Sequence, residues 1–204
     1  MQTDQNNSQN FSPEQGQLLV KLARQILGER LGQQVPQSEI DSLNAALKDP
    51  GLQKECATFV TLKIDGQLRG CIGNLTSSES VVSGVRRNAV NAAFHDPRFA
   101  PLRAPELDRV EIEISILTEP QPLNYRDGAE LLEKLRPNVD AVTICLGHAS
   151  ATFLPQVWEQ LPQAKDFLGH LCMKAGLAAD AWKTRRLEVS TYHVQYFEEH
   201  ITRS

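Results

Sequence analysis

Apolar residues recur along this chain with two different periods, and the switches between them set out its elements. Leu18, Leu19, Leu22, Ile26 and Leu27 form a stripe at helical spacing. In front of it, Ser12-Pro13-Glu14-Gln15 offers an N-cap, a proline at the first helical position and an acidic first turn, and Gly28 to Gly32 close the helix. A second, shorter helix is predicted over 36–47, stopped by Asp49-Pro50-Gly51. From Cys56 the chemistry changes to β-branched and apolar runs, Cys-Ala-Thr-Phe-Val-Thr-Leu-Lys-Ile and Gln-Leu-Arg-Gly-Cys-Ile-Gly-Asn, separated only by Asp65-Gly66. That combination predicts a β-hairpin, because a type I′ turn needs φ > 0 at both central residues.

Helical spacing returns at Val81, Val85, Ala89, Ala92 and Ala93, predicting a helix over 79–95 with caps among Thr76, Ser77 and Ser78. Asp96-Pro97 stops it, since proline disfavours helical geometry in the preceding residue. Residues 109–117 alternate polar and apolar and predict a half-buried strand, with Glu111 and Glu113 on one face. That face reads as solvated, with a paired-carboxylate site as the alternative. Further on, the pattern predicts a loop at Glu119 to Pro122, a short helix over 126–135, strands over 140–146 and 149–154, and helical turns over 155–160. An amphipathic helix over 163–175 ends at Gly176, and one final strand covers 187–197.

A two-residue hairpin loop pairs Ile64 with Gln67, Leu62 with Arg69 and Val60 with Cys71. Arg69 and Cys71 then share a face with Val60, Leu62 and Ile64. Gly70 and Gly73 lack a β-carbon and mark either a bulge, which would re-aim Cys71, or a close approach by a ligand or another backbone.

Composition narrows the rest. At 204 residues the chain suits one domain or two packed lobes. Residues 1–11 are polar and Gln/Asn-rich, read as a disordered tail before a single domain over 12–204. Neither a leader-like N-terminus nor an apolar run of membrane-spanning length is present, which points to a cytoplasmic protein without a membrane partner. The net charge of −4 argues against a large nucleic-acid footprint. Cys56, Cys71, Cys145 and Cys172 are scattered without a Cys-x-x-Cys pair, as unpaired thiols are, mostly buried, so no metal or cofactor is expected. Gly70-Cys71-Ile72-Gly73 also matches the Gly-x-x-Gly of KH domains, but that loop joins helices and this one lies in a predicted hairpin.

Cys71 is the candidate nucleophile, with Arg69 on the same strand face as the cation that would favour a thiolate, and His95 or His170 as candidate bases. The competing reading makes Cys71 a core residue behind an apolar wall. Arg69 inside a hairpin needs a carboxylate from the protein or from a ligand, because an unpaired buried guanidinium costs several kcal/mol, on the order of the buried-ion penalty.

Leu68-Arg69-Gly70-Cys71-Ile72-Gly73 resembles the signature of the AmmeMemoRadiSam system protein A family, an AMMECR-type domain. Similar segments follow in order at Asp96-Pro97-Arg98-Phe99, at Glu111 to Thr118, at Ala151 to Trp158 and at Lys174-Ala175-Gly176-Leu177, so the resemblance spans roughly residues 12 to 200. The resemblance implies an α+β fold, a mostly antiparallel sheet flanked by helices, in two lobes whose cleft is lined by the Leu-Arg-Gly-Cys-Ile-Gly segment. It places Asp96 and Arg98 beside that segment, adding them to Arg69, Gly70 and Gly73 as candidate ligand contacts. It also implies a Memo-like protein and a radical-SAM protein as partners, the latter carrying any iron–sulfur cluster. The expected role is a cytoplasmic accessory or substrate-presenting component that binds a small acidic ligand or peptide. The alternative is a cysteine-dependent hydrolase or transferase using Cys71.

Overall fold

The structure, a computed structural model, describes residues 10–199. Residues 1–9, most of the expected disordered tail, lie outside the described residues. Phe11, also assigned to that tail, is instead buried, and its N–H donates to Gln195 Oε1 at 2.9 Å. One large apolar side chain next to the first helix is enough to draw the backbone into the core.

Two compact units share the chain: one runs to Leu117 and resumes at Gln195, and the other is Thr118–Val194. Helices and antiparallel strands mix in both, making the protein α+β as expected. In the first unit α1 (Pro13–Arg30) starts with the anticipated N-cap, which the structure completes as a capping box: Ser12 Oγ accepts from Gln15 N–H and Gln15 Oε1 accepts from Ser12 N–H. α2 (Gln37–Ala46) follows, then a 3₁₀ turn over Pro50–Gln53.

The hairpin forms as predicted, β1 (Ala57–Ile64) and β2 (Gln67–Gly73) joined by Asp65 at φ 51° and Gly66 at φ 75°. α3 (Val81–Phe94) is capped by Ser80 rather than by the preceding residues 76–78. β3 (Val110–Leu117) pairs antiparallel with β1.

The predicted final strand is two strands. β7 (Glu188–Tyr192) and β8 (Val194–Glu198) break at His193 and join different sheets. Tyr192 is buried whereas Tyr196, in step with it by alternation, is exposed and Phe197 packs on the core instead, so the inward face changes across the break. The first sheet has the order β2-β1-β3-β8.

Val60 and Leu62 of β1 stand beside Ile114 and Ile112 of β3 and face Leu19, Leu22 and Ile26 of α1 and Val85, Ala89 and Ala92 of α3. Asn88 fastens α3 to β1 by donating to the Thr58 carbonyl and hydroxyl, both at 3.0 Å. At Gly16 of α1 the missing side chain admits the Phe197 ring of β8.

In the second unit β4 (Gln121–Pro122) pairs with β7, a two-residue strand where a loop is predicted. α4 (Gly128–Lys134), β5 (Ala141–Leu146), β6 (Ala149–Phe153), α5 (Val157–Gln160), α6 (Ala164–Lys174) and the unanticipated short α7 (Ala181–Thr184) complete it, with sheet order β4-β7-β5-β6. Its core centres on Trp158 stacked on Phe167 at 3.7 Å between ring centroids. Cys172 is fully buried there, and burial pushes its thiol above the usual value.

Candidate functional site

The hairpin does not keep simple register. Ile64 faces Gln67 and Lys63 faces Leu68, but Leu62 then faces Gly70, Thr61 faces Cys71 and Val60 faces Ile72. Arg69 is the extra residue of a β-bulge, so the predicted pairs Leu62–Arg69 and Val60–Cys71 do not form. A one-residue slip sends each later side chain to the other face. Cys71 is thereby turned away from Val60 and Leu62 and shares the sheet's outer face with Thr61. Its side chain is half-buried, as a core reading does not allow.

The cause of the bulge lies on α3. A β-carbon at residue 70 would overlap the Ala92 carbonyl oxygen, so only glycine lets the last turn of α3 press against β2. At Gly73 a β-carbon would overlap the Phe59 ring and the Thr58 carbonyl. The close approach expected at these two glycines is made by the protein's own atoms, not left open for a ligand.

Asp96 and Arg98, twenty-five and more residues away in sequence, meet Cys71 directly. β2 is the edge of its sheet, and the outward-pointing Cys71 N–H donates to Asp96 Oδ2 at 2.9 Å. Arg98 Nη2 donates to the Cys71 carbonyl at 3.0 Å and to Asp96 Oδ2 at 2.7 Å, while Arg98 Nε and backbone N–H donate to Asp96 Oδ1 at 2.9 and 3.1 Å. The Asp–Arg pair thus offers one acceptor and one donor, as a neighbouring strand would, and closes the edge at Cys71. Asp96 is 4 % exposed. The Arg98 guanidinium, helped by the Cys71 and Arg98 amides, holds its carboxyl far below the usual aspartate range despite burial. The Arg98 side chain stays 53 % exposed.

Thr61 is the centre of a row across the outer face, paired with Cys71 on β2 and with Glu113 on β3. Its hydroxyl donates to Cys71 Sγ at 3.3 Å. Glu113 accepts from Lys63 Nζ at 2.7 Å, and that bond holds the lysine above its ordinary value. Glu113 is therefore not an unpaired carboxylate on a solvated face.

Arg69 finds the carboxylate that its position demands. Its Nε and Nη2 donate to Glu106 at 2.9 and 3.3 Å, and the guanidinium holds Glu106 below the usual glutamate range. Arg69 Nη1 is buried and has no hydrogen-bond partner among the described residues. The Arg69 and Arg98 guanidinium carbons lie 6.0 and 5.5 Å from the Phe99 ring centroid, so one aromatic side chain carries both cations.

The candidate residues Arg69, Gly70, Cys71, Gly73, Asp96 and Arg98 thus cluster on β2 and the turn after α3. Of the candidate bases, His95 is exposed with Nδ1 3.1 Å from Asn91 Oδ1, and His170 belongs to the second unit. Sequence reasoning missed Thr61, Phe99 and Glu106. Thr61 becomes visible only with the bulge, and Glu106 lies in a 3₁₀ segment, Ala104–Arg109, that has no periodic signal. Gly70 and Gly73 lie within a strand, which excludes the helix-joining Gly-x-x-Gly of KH domains. Among the described residues no three His, Cys, Asp or Glu side chains gather as a metal ion would need, and no helix is long and apolar enough to cross a membrane.

Fold and site together define a class: α+β proteins in which a cysteine on a bulged edge strand is clamped by an Asp-Pro-Arg turn at the end of a helix. The chain belongs to the AMMECR1 family, whose profile matches residues 20–197. A protein of Methanothermobacter thermautotrophicus is 35 % identical over 197 residues, covering 93 % of this chain and 96 % of its own length. Protein NEQ441 of Nanoarchaeum equitans is 36 % identical over 186 residues, covering 89 % of this chain and 98 % of its own. The crystal structure of an uncharacterized protein, PH0010 from Pyrococcus horikoshii, is similar with a TM-score of 0.75 and 31 % identity, covering 95 % of this chain and 96 % of that one.

Proposed function

We propose that the protein is a cytoplasmic accessory or substrate-presenting component that binds a small acidic ligand or peptide at Arg69, Cys71 and Arg98. The observation that carries this reading is the buried Arg69 Nη1 without an acceptor. A buried N–H left unpaired costs about 1–3 kcal/mol, and an anionic oxygen beside Phe99 relieves that penalty. Arg98 supports it from the other side of the ring: Asp96 and the Cys71 carbonyl fix the guanidinium, so little side-chain entropy is lost when it meets an anion.

Titration of malonate, glutamate and phosphate into isotopically labelled protein tests the site. Amide shifts concentrated at Gly70 to Ile72 and at Arg98 and Phe99, and abolished by Arg69→Met, are the expected result. Shifts spread over the surface, or unchanged by that substitution, overturn it. Within the AmmeMemoRadiSam grouping the partners are a Memo-like protein and a radical-SAM protein. Pull-down of both under reducing, anaerobic conditions is expected, and failure of either to associate removes the accessory role.

The Thr61 hydroxyl on Cys71 Sγ favours a second reading, a cysteine-dependent hydrolase or transferase. It requires Cys71→Ala to abolish turnover while the amide spectrum stays native. Turnover that survives this substitution ends it.

A further inference from the structure

The outward side of α1 and α3, away from the sheet, carries charge that neither the core nor the Cys71 site uses. Ile26, Arg30, Ser83, Arg86, Arg87, Val90 and Asn91 line a shallow groove of about 470 Å³ between the two helices. Half-buried Val90 gives it an apolar floor, at whose base the core residue Ile26 is only 9 % exposed. Three arginines and no acidic residue give it its rim, in a chain whose net charge is −4.

Two of the three arginines, Arg30 and Arg86, have no carboxylate partner among the described residues. Arg87 is paired with Glu79, and Arg86 Nη2 donates to Asn44 Oδ1, a neutral acceptor, at 3.2 Å. Arg30, in the last turn of α1, makes no ion pair or side-chain hydrogen bond among the described residues. Arg30 and Arg86 are exposed, so helix packing does not account for them. Two guanidinium groups without a carboxylate partner in one groove make a positive patch that complements an acidic chain.

We propose that this groove docks an acidic segment of a partner protein, with an aliphatic side chain on Val90 and carboxylates on Arg30 and Arg86. Its openness along both helices suits a peptide segment better than a small molecule, which needs a cleft that encloses it. A single-stranded nucleic acid is the poorer occupant: no aromatic side chain lines the groove to stack a base, and stacking contributes much of such binding.

The test is fluorescence anisotropy with a labelled peptide of glutamates interspersed with leucines, titrated with the full chain at low and physiological salt. Binding should weaken with salt, and Arg30→Glu with Arg86→Glu should lower affinity by at least about tenfold, the scale of one lost charge-assisted contact. Both residues are exposed on helices, and a native amide spectrum of the double variant confirms that it folds. Arg185→Glu, an exposed residue of the second unit, should leave affinity unchanged, which separates loss of the groove from loss of positive charge in general. Equal affinity of the double variant, an equal loss of binding in Arg185→Glu, or tighter binding of a labelled oligouridine than of the peptide overturns the proposal. A leucine-free glutamate peptide should bind more weakly; equal binding refutes the role of the apolar floor.

Discussion

Asp96→Ala measures what the turn after α3 does for the edge of the first sheet. The carboxylate accepts from Cys71 N–H and three times from Arg98. Removing it leaves the Cys71 N–H without an acceptor, about 1–3 kcal/mol. Arg98, more than half exposed, regains water, so its lost ion pair adds at most about 1 kcal/mol. The expected loss is about 1–4 kcal/mol, or roughly 2–16 °C in a chain of this size.

Trp158 and Trp182 both lie in the second unit, so tryptophan fluorescence does not report on this site. Amide hydrogen exchange of peptides from β2 and α3 reads the first unit directly, and far-UV circular dichroism in urea follows the chain as a whole. The pH dependence adds a sign. The folded carboxyl lies below its unfolded value of about 3.9, so its contribution is complete above about pH 5 and disappears as pH falls through the folded value. Asp96→Asn, which keeps an oxygen for Cys71 but sets an amide against the guanidinium, should lose less than Asp96→Ala. Its deficit should be constant from about pH 5 to 8 and shrink below about pH 4. An Asp96→Ala loss under about 0.5 kcal/mol, or an Asn deficit that grows in acid, would refute the edge-closing argument.

Gly70→Ala should destabilise the first unit by more than about 3 kcal/mol, because the new methyl meets the Ala92 backbone and neither strand nor helix can give way; a urea midpoint near the wild type contradicts this. Gly66→Ala, at φ 75° with open space around it, should cost only about 1–2 kcal/mol of backbone strain, and a loss as large as that of Gly70→Ala would contradict the distinction between strain and overlap. Thr61→Val removes the donor to Cys71 Sγ while keeping the side chain's shape, so iodoacetamide alkylation of Cys71 followed by peptide mass spectrometry should change rate while that of the buried Cys56 and Cys172 stays slow. Unchanged Cys71 alkylation would show that the hydroxyl does not influence the thiol.

Much of the fold is legible along the chain. The Ser12 N-cap, the Asp65-Gly66 turn, the Ile112 and Ile114 alternation and the Gly176 stop each depend on residues adjacent in sequence, and each appears where local preference puts it. The site is legible only in part. Its residue types are visible, and Arg69 does meet a carboxylate, but the pairing of the hairpin is displaced by one residue. Alternation puts Glu113 on a solvated face and gives no sign of Thr61, and the row they form with Cys71 appears only after β1 is placed between β2 and β3.

The sequence by itself determined the elements, the hairpin turn and the demand for a partner at Arg69, because propensity, capping and desolvation act over a few residues. Tertiary structure decided which way Cys71 points, what fills the space at Gly70 and Gly73, and where the 187–197 run breaks. These depend on the Ala92 carbonyl, the Phe59 ring and the positions of two sheets, all far away along the chain. No local preference carries the coordinates of an atom brought near only by folding.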